Sequence, residues 1–169
     1  MLAKSGVVSI PAARSAADIV APLSIAASAH QSVDTADIDV YWARHLDEVR
    51  EAQRLRFDVF AGEMGARLGS PLAGYDVDDF DDYCEHLLVR HRVSGQVIGT
   101  YRLLTPAQAQ RAGRTYTDGE FDLRAIDALR PRMVELGRSC VHARWRQGGV
   151  IMALWGALAS FMQRNQLDV

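Results

Sequence analysis

Cysteine is scarce in this chain of 169 residues, with Cys84 and Cys140 the only two. Two thiols make no disulfide framework and lack metal-site spacing, which excludes a stapled secreted scaffold and favours a reducing compartment. An excess of one charge is also missing. Nineteen basic and twenty-one acidic side chains leave a formal net charge of −2, so there is no bulk basic footprint for nucleic acid. Long hydrophobic runs are absent too. The longest, Gly148 to Met162, has 15 residues, short of the roughly 20 that cross a bilayer as a helix. No internal repeat is visible. What remains, 49% hydrophobic and 24% charged, is the balance of a globular protein able to bury a real core.

The first 32 residues hold nine Ala and six Ser, with charge only at Lys4, Arg14 and Asp18. Pro11 and Pro22 break their apolar stretches below signal-peptide length. Residues 1–35 are therefore expected as a mobile leader ahead of one domain, 36–169, with a cleaved targeting segment as the lesser alternative.

Within that domain the periodicity changes several times. Asp37 to Trp42 alternates and predicts a strand. Val49, Ala52, Leu55, Val59 and Met64 recur at helical steps, predicting a helix over Leu46 to Met64 that ends at Gly65. Strands are predicted over His86–His91 and Gln96–Leu104, joined by a turn at Ser94-Gly95. Pro106 to Arg111 is read as one or two helical turns, Phe121 to Leu129 as a short helix closed by Pro131, and Met133 to His142 as a strand. Ile151, Leu154, Trp155, Leu158, Phe161 and Met162 mark an amphipathic helix over Val150 to Arg164. Leu167 to Val169 reads as the start of another strand. The sum is an α+β domain in two or three layers, a mixed sheet flanked by helices.

Three clusters carry chemical interest. Asp76, Asp78, Asp79, Asp81, Asp82 and Glu85 place six carboxylates within ten residues. A solvated loop and a site for an ammonium group or divalent cation are both open readings; EF-hand spacing is not present. Arg144-Trp-Arg-Gln-Gly-Gly149 ahead of a helix offers free amides and two cations to a phosphate, or is an ordinary turn. In Glu135-Leu-Gly-Arg138 a regular strand would point Glu135 to one face and Arg138, Cys140 and His142 to the other. A bulge at Gly137 would bring Glu135 and Arg138 together, as a structural salt bridge or as a base beside a cationic clamp. Cys140 with His142 is conceivable as a nucleophilic pair, but weighs less than a buried structural thiol.

Taken in order, Leu55-Arg-Phe-Asp-Val-Phe60, Glu63-Met-Gly65, Asp78-Asp-Phe-Asp81, His86-Leu-Leu-Val89, Ile98-Gly-Thr-Tyr-Arg-Leu103 and Val134-Glu-Leu-Gly-Arg-Ser-Cys-Val141 resemble the bacterial ornithine lipid N-acyltransferases. That family belongs to the GNAT superfamily and is related to the acyl-homoserine-lactone synthases. The resemblance covers about Asp37 to Val169. It implies a GNAT-type fold and transfer of a 3-hydroxyacyl group from acyl carrier protein to the α-amino group of L-ornithine, giving lyso-ornithine lipid.

By the same resemblance, Arg56, Phe60, Asp78, Asp81 and Arg102 bind substrate, with the two aspartates attracting cationic ornithine. Glu135 acts as base beside Arg138. Arg144, Arg146 and the amides of Gly148 and Gly149 hold the donor's phosphopantetheine; Arg146-Gln-Gly-Gly-Val-Ile151 keeps the first Arg and middle Gly of the superfamily turn but not its last small residue. No metal is implied, and no cofactor beyond the carrier-protein thioester as co-substrate. The implied location is the cytoplasm, with peripheral contact at the inner membrane through the lipid product. Family members continue with further strands after the last helix, so the domain is expected to be C-terminally incomplete. Two alternatives stay open: a synthase-like acyltransferase with S-adenosylmethionine as acceptor, and a non-catalytic domain that binds acyl carrier protein.

Overall fold

A computed structural model describes residues 34–168, so the expected leader, residues 1–35, lies outside the described residues except for its last two positions. Four strands form one sheet in the order β1 (Ile38–Trp42), β2 (Glu85–His91), β3 (Val97–Leu104) and β4 (Glu135–Val141). Every neighbouring pair is antiparallel. The sequence reading expected a mixed sheet. The difference arises because the excursion from β3 to β4 leaves and re-enters at the same end of the sheet.

Side-chain alternation sorts the core onto two faces. Leu88 and Val97 meet Ala52 and Leu55 of helix α1 (Leu46–Phe57) and Val59 just after it. Leu87, Val89 and Ile98 meet Val150, Leu154 and Leu158 of helix α3 (Gly149–Arg164) on the other. The result is three layers, helix on sheet on helix. Gly99 allows the close approach of α3, since a Cβ there would lie 2.5 Å from Val150 Cγ1. The backbone at Arg90 and Val97 shifts register by one residue, which leaves Ile98 as the extra residue of a bulge.

Helix α1 extends as predicted, but its last turns, Asp58–Glu63, widen to π-helical form, with the Met64 amide bonding the Val59 carbonyl at 3.0 Å. Glu63 is thereby carried to Arg146, 2.6 Å away. Helix α2 (Pro106–Ala112) starts on a capping box in which Thr105 and Gln108 bond each other's backbone, with Pro106 in its first turn. The predicted helix over Phe121–Leu129 is displaced to 3-10 turns over Arg124–Arg132 that include Pro131. Proline fits these short turns because it has no amide to satisfy. Leu167 and Asp168 form no strand; instead the Asp168 amide reaches the Arg132 carbonyl at 3.0 Å.

Candidate active site

The β3–β4 pairing breaks at the Glu135–Arg138 motif. Thr100 pairs with Cys140 and Arg102 with Gly137, so β4 carries one more residue than β3 across this step. The expected bulge is there, but Arg138 rather than Gly137 takes the left-handed backbone, with φ of +52°. A non-glycine residue in that region is strained, and such strain clusters at functional sites.

The bulge turns Arg138 toward the acidic loop. Its Nε lies 3.0 Å from Asp76 Oδ2 and its Nη2 3.1 Å from Asp78 Oδ2. Arg102, from β3, places Nη1 2.5 Å from Asp78 Oδ1 and 2.8 Å from Asp81 Oδ1. Arg56, from α1, bonds Asp76 Oδ2 at 2.9 Å and grips Asp81 at 3.0 and 2.8 Å. Gln53, one turn earlier, donates to Asp81 Oδ2 at 2.8 Å. Three arginines thus neutralise three aspartates.

Burial alone would raise the Asp81 carboxyl, but Arg56 and Arg102 outweigh it and hold the group well below the usual carboxylate range. His86 beneath the network is pushed down by burial, with its Nε2 3.1 Å from the Asp81 carbonyl.

Arg56 and Asp81 are buried inside this network and line neither cavity at this end of the sheet. Phe60 packs against the α1-side core. Asp78 and Arg102 bond each other and still reach cavity walls.

Of the six carboxylates in the acidic cluster, Glu85 accepts from Gln108, whereas Asp79 and Asp82 pair with no other described residue. Both are exposed and line a cavity of about 620 Å³ with Asp78, Arg50, Arg138 and Tyr116. A second cavity of about 250 Å³ lies at the bulge, walled by Glu135, Arg138, Arg102, Tyr116 and Cys84.

Glu135 and Arg138 share that cavity but do not pair. Glu135 Oε2 accepts from the Tyr116 amide at 2.7 Å, and Oε1 from the Thr117 amide at 2.8 Å and the Thr117 hydroxyl. It therefore straps the 115–118 turn, which Asp118 ties again through Arg130. Burial pushes the thiols of Cys84 and Cys140 up to about 12, so neither supplies a thiolate near neutrality, and the Cys140–His142 nucleophilic pair falls away.

At the other end of β4, the Arg144–Gly149 turn enters α3 through Gly148, whose φ of +91° suits glycine. Gly148 and Arg146 line a cavity of about 290 Å³ with Cys140, Trp145 and Ile151. Arg146 is held by Glu63 and donates to the Val141 carbonyl at 2.9 Å, while Arg144 is exposed and pairs with no carboxylate among the described residues.

The acetyltransferase (GNAT) domain model matches residues 55–156, which run from within α1 to within α3. The chain belongs to the GNAT acetyltransferase domain family. It is similar to the L-ornithine N(alpha)-acyltransferase of Rhodobacter capsulatus, at 35% identity over 78% of this chain and 53% of that protein. The protein of the same name from Brucella abortus is 36% identical over 78% of this chain and 50% of its own length. The chain spans about half the length of the curated relatives it matches.

Among solved structures, the acyl-homoserine-lactone synthase LasI superposes with a TM-score of 0.55 at 19% identity, covering 77% of this chain and 68% of LasI. The CoA-dependent synthase BjaI gives 0.54 at 25%, covering 72% and 57%. These neighbours confirm the GNAT fold.

Gln53, Tyr116 and Thr117 entered no sequence expectation of the site. Gln53 carried a weak signal, one turn before Arg56 on the same helix. Nothing local marks Tyr116, because Glu135 recruits its turn across 19 residues. Among the described residues, no helix is long and apolar enough to cross a membrane.

Proposed function

We propose that this GNAT domain takes part in transferring a 3-hydroxyacyl group from the phosphopantetheine thioester of acyl carrier protein to the α-amino group of L-ornithine. The product would be lyso-ornithine lipid, the first intermediate of ornithine lipid biosynthesis. The observation that carries the acceptor assignment is the charge left over at the acidic loop. With Asp76, Asp78 and Asp81 neutralised, Asp79 and Asp82 front the larger cavity as free carboxylates, suited to the ammonium of a diamino acid. The relatives' name points to the same substrate.

The chemistry is a direct attack. The α-amino nitrogen, once deprotonated, bonds to the thioester carbonyl carbon; the C–S bond breaks and the sulfur leaves as a thiol after taking up a proton. Glu135 is the candidate acceptor of the amine proton, directly or through one water, and Arg138 lies beside it at the bulge. Arg144, Arg146 and the amides around Gly148 and Gly149 hold the donor's phosphate at the opposite end of β4. Peripheral contact with the inner membrane would follow from the product's alkyl tail.

Incubation with 3-hydroxyacyl carrier protein and L-ornithine, read by mass spectrometry, tests this reading. Lyso-ornithine lipid is the expected product. No transfer to ornithine from carrier-protein or CoA thioesters would overturn it. The synthase-like alternative is favoured by the fold of LasI and BjaI; transfer to S-adenosylmethionine in the same assay would select it.

A further inference from the structure

The two cavities at the bulge end of the sheet share two residues, Tyr116 and Arg138. These two also touch each other, with the Arg138 guanidinium carbon 5.3 Å from the centre of the Tyr116 ring. Phe80 meets the same ring edge-on at 5.7 Å, and the Tyr116 amide is anchored to Glu135. Two side chains therefore flank the ring and its backbone is tied down, while 39% of the residue stays exposed. Its hydroxyl has no hydrogen-bond partner among the described residues. An aromatic plane held this way is a rigid apolar wall with little conformational freedom left to lose on binding.

We propose that Tyr116 is the specificity-determining residue for the acceptor, the wall against which the aliphatic chain of an α,ω-diamino acid lies. This rests on the acceptor reading above. On one side of the wall is the cavity of Glu135, where an α-amino group can be deprotonated. On the other is the cavity of Asp79 and Asp82, where an ω-ammonium is neutralised. A substrate must reach both, so its number of methylenes decides whether both ends are satisfied. One methylene more or less against an apolar wall in a binding pocket is worth roughly a 10–200-fold preference. The Arg138 guanidinium against the ring is itself held in place by Asp76 and Asp78.

The test is calorimetric binding of L-2,4-diaminobutyrate, L-ornithine and L-lysine, which differ by one methylene each, to the parent chain and to Tyr116→Ala, Tyr116→Leu and Tyr116→Phe. The parent should prefer ornithine to both neighbours. Tyr116→Phe should keep that preference. Tyr116→Ala should reduce it at least tenfold, and Tyr116→Leu, which fills the space without a flat wall, should fall between. A purely structural role would weaken all three ligands alike and leave the ratios unchanged. Unchanged ratios in Tyr116→Ala and Tyr116→Leu, with the parent selective, would overturn the assignment of Tyr116 while leaving the ornithine reading intact. A parent that binds none of the three, or all three equally, would overturn the acceptor reading and this assignment with it.

Discussion

Arg56 and Asp81 meet end-on, two nitrogens to two oxygens at 3.0 and 2.8 Å, with the Arg side chain fully buried and the Asp side chain 3% exposed. A fork-to-fork contact of this kind joins α1 to the acidic loop with fixed orientation as well as charge. Since Asp81 also accepts from Arg102, the same carboxylate ties the loop to β3. The position of Asp79 and Asp82 at the cavity thus depends on a pair that never sees solvent.

Removing one partner leaves the others charged and dry. Arg56→Ala should destabilise the fold by about 3–5 kcal/mol, the cost of breaking a buried pair. Arg56→Lys should recover little, because a point charge cannot replace the planar fork. Urea unfolding checks both; a loss under 1 kcal/mol for Arg56→Ala would show that the network relaxes around the gap.

Acid should unfold the chain in two steps. The buried His86 ring has its pKa lowered from 6.5, so below that pH the unfolded state takes up a proton that the folded state refuses, and stability falls. The lowered Asp81 carboxyl contributes stability that is present above its unfolded value of 3.8 and is lost as pH drops through the folded value. Urea midpoints measured from pH 7.5 to 3 should fall first near pH 6 and again below about 4. His86→Gln should erase the first step and leave the second.

Glu135→Gln separates base from strap. Loss of a positioned general base costs roughly 10²–10⁴-fold in rate. The amide oxygen of Gln can still accept from one backbone N–H, so the 115–118 turn should keep most of its anchorage. We expect single-turnover transfer to fall within that range while the melting temperature moves by a few degrees at most. Activity within threefold of the parent would leave Glu135 only its strap role.

The donor end makes a graded prediction. Arg144 is exposed and pairs with no carboxylate among the described residues, so Arg144→Ala should weaken a phosphopantetheine-bearing donor by roughly tenfold, at the low end of a charge-assisted bond. Arg146 is already shared with Glu63; Arg146→Ala should therefore cost less binding. Both losses should vanish for a donor lacking the phosphate. Equal loss with and without phosphate would make these arginines packing residues.

The elements were legible because their signals are local. Alternation marked β1, two strand-like runs either side of Ser94-Gly95 marked β2 and β3, the three- and four-residue steps marked α1 and α3, and Gly137 in a polar strand hinted at a bulge. The site was only half legible. Asp78 and Asp81 look alike in sequence, yet one reaches a cavity and the other is sealed, because Arg56, Arg102 and Gln53 arrive from two distant elements. Sequence spacing cannot show which of six neighbouring carboxylates will be neutralised. Nor could it show that Glu135 and Arg138 would turn to different partners, since both are recruited by segments 18 to 60 residues away.

One face of α3 makes the last prediction. Val150, Leu154 and Leu158 are buried against the sheet, yet Met152 and Trp155 are 66% and 59% exposed on the opposite side. Gly156 and Ala159 lie exposed beside them, so the outer face is apolar and no other described residue covers it. Clustered exposed apolar side chains of this size bind dyes and promote association. The chain should therefore enhance the fluorescence of a hydrophobic dye, and the Trp emission should be partly quenched by iodide. Trp42 and Trp145 sit against the core, so Trp155 should account for that quenchable fraction. Met152→Lys with Trp155→Glu should remove most dye binding and shift sedimentation toward the monomer, while the melting temperature stays within about 2 °C, because neither side chain packs on the sheet. Dye binding that survives the double substitution would place the exposed apolar surface elsewhere on the molecule.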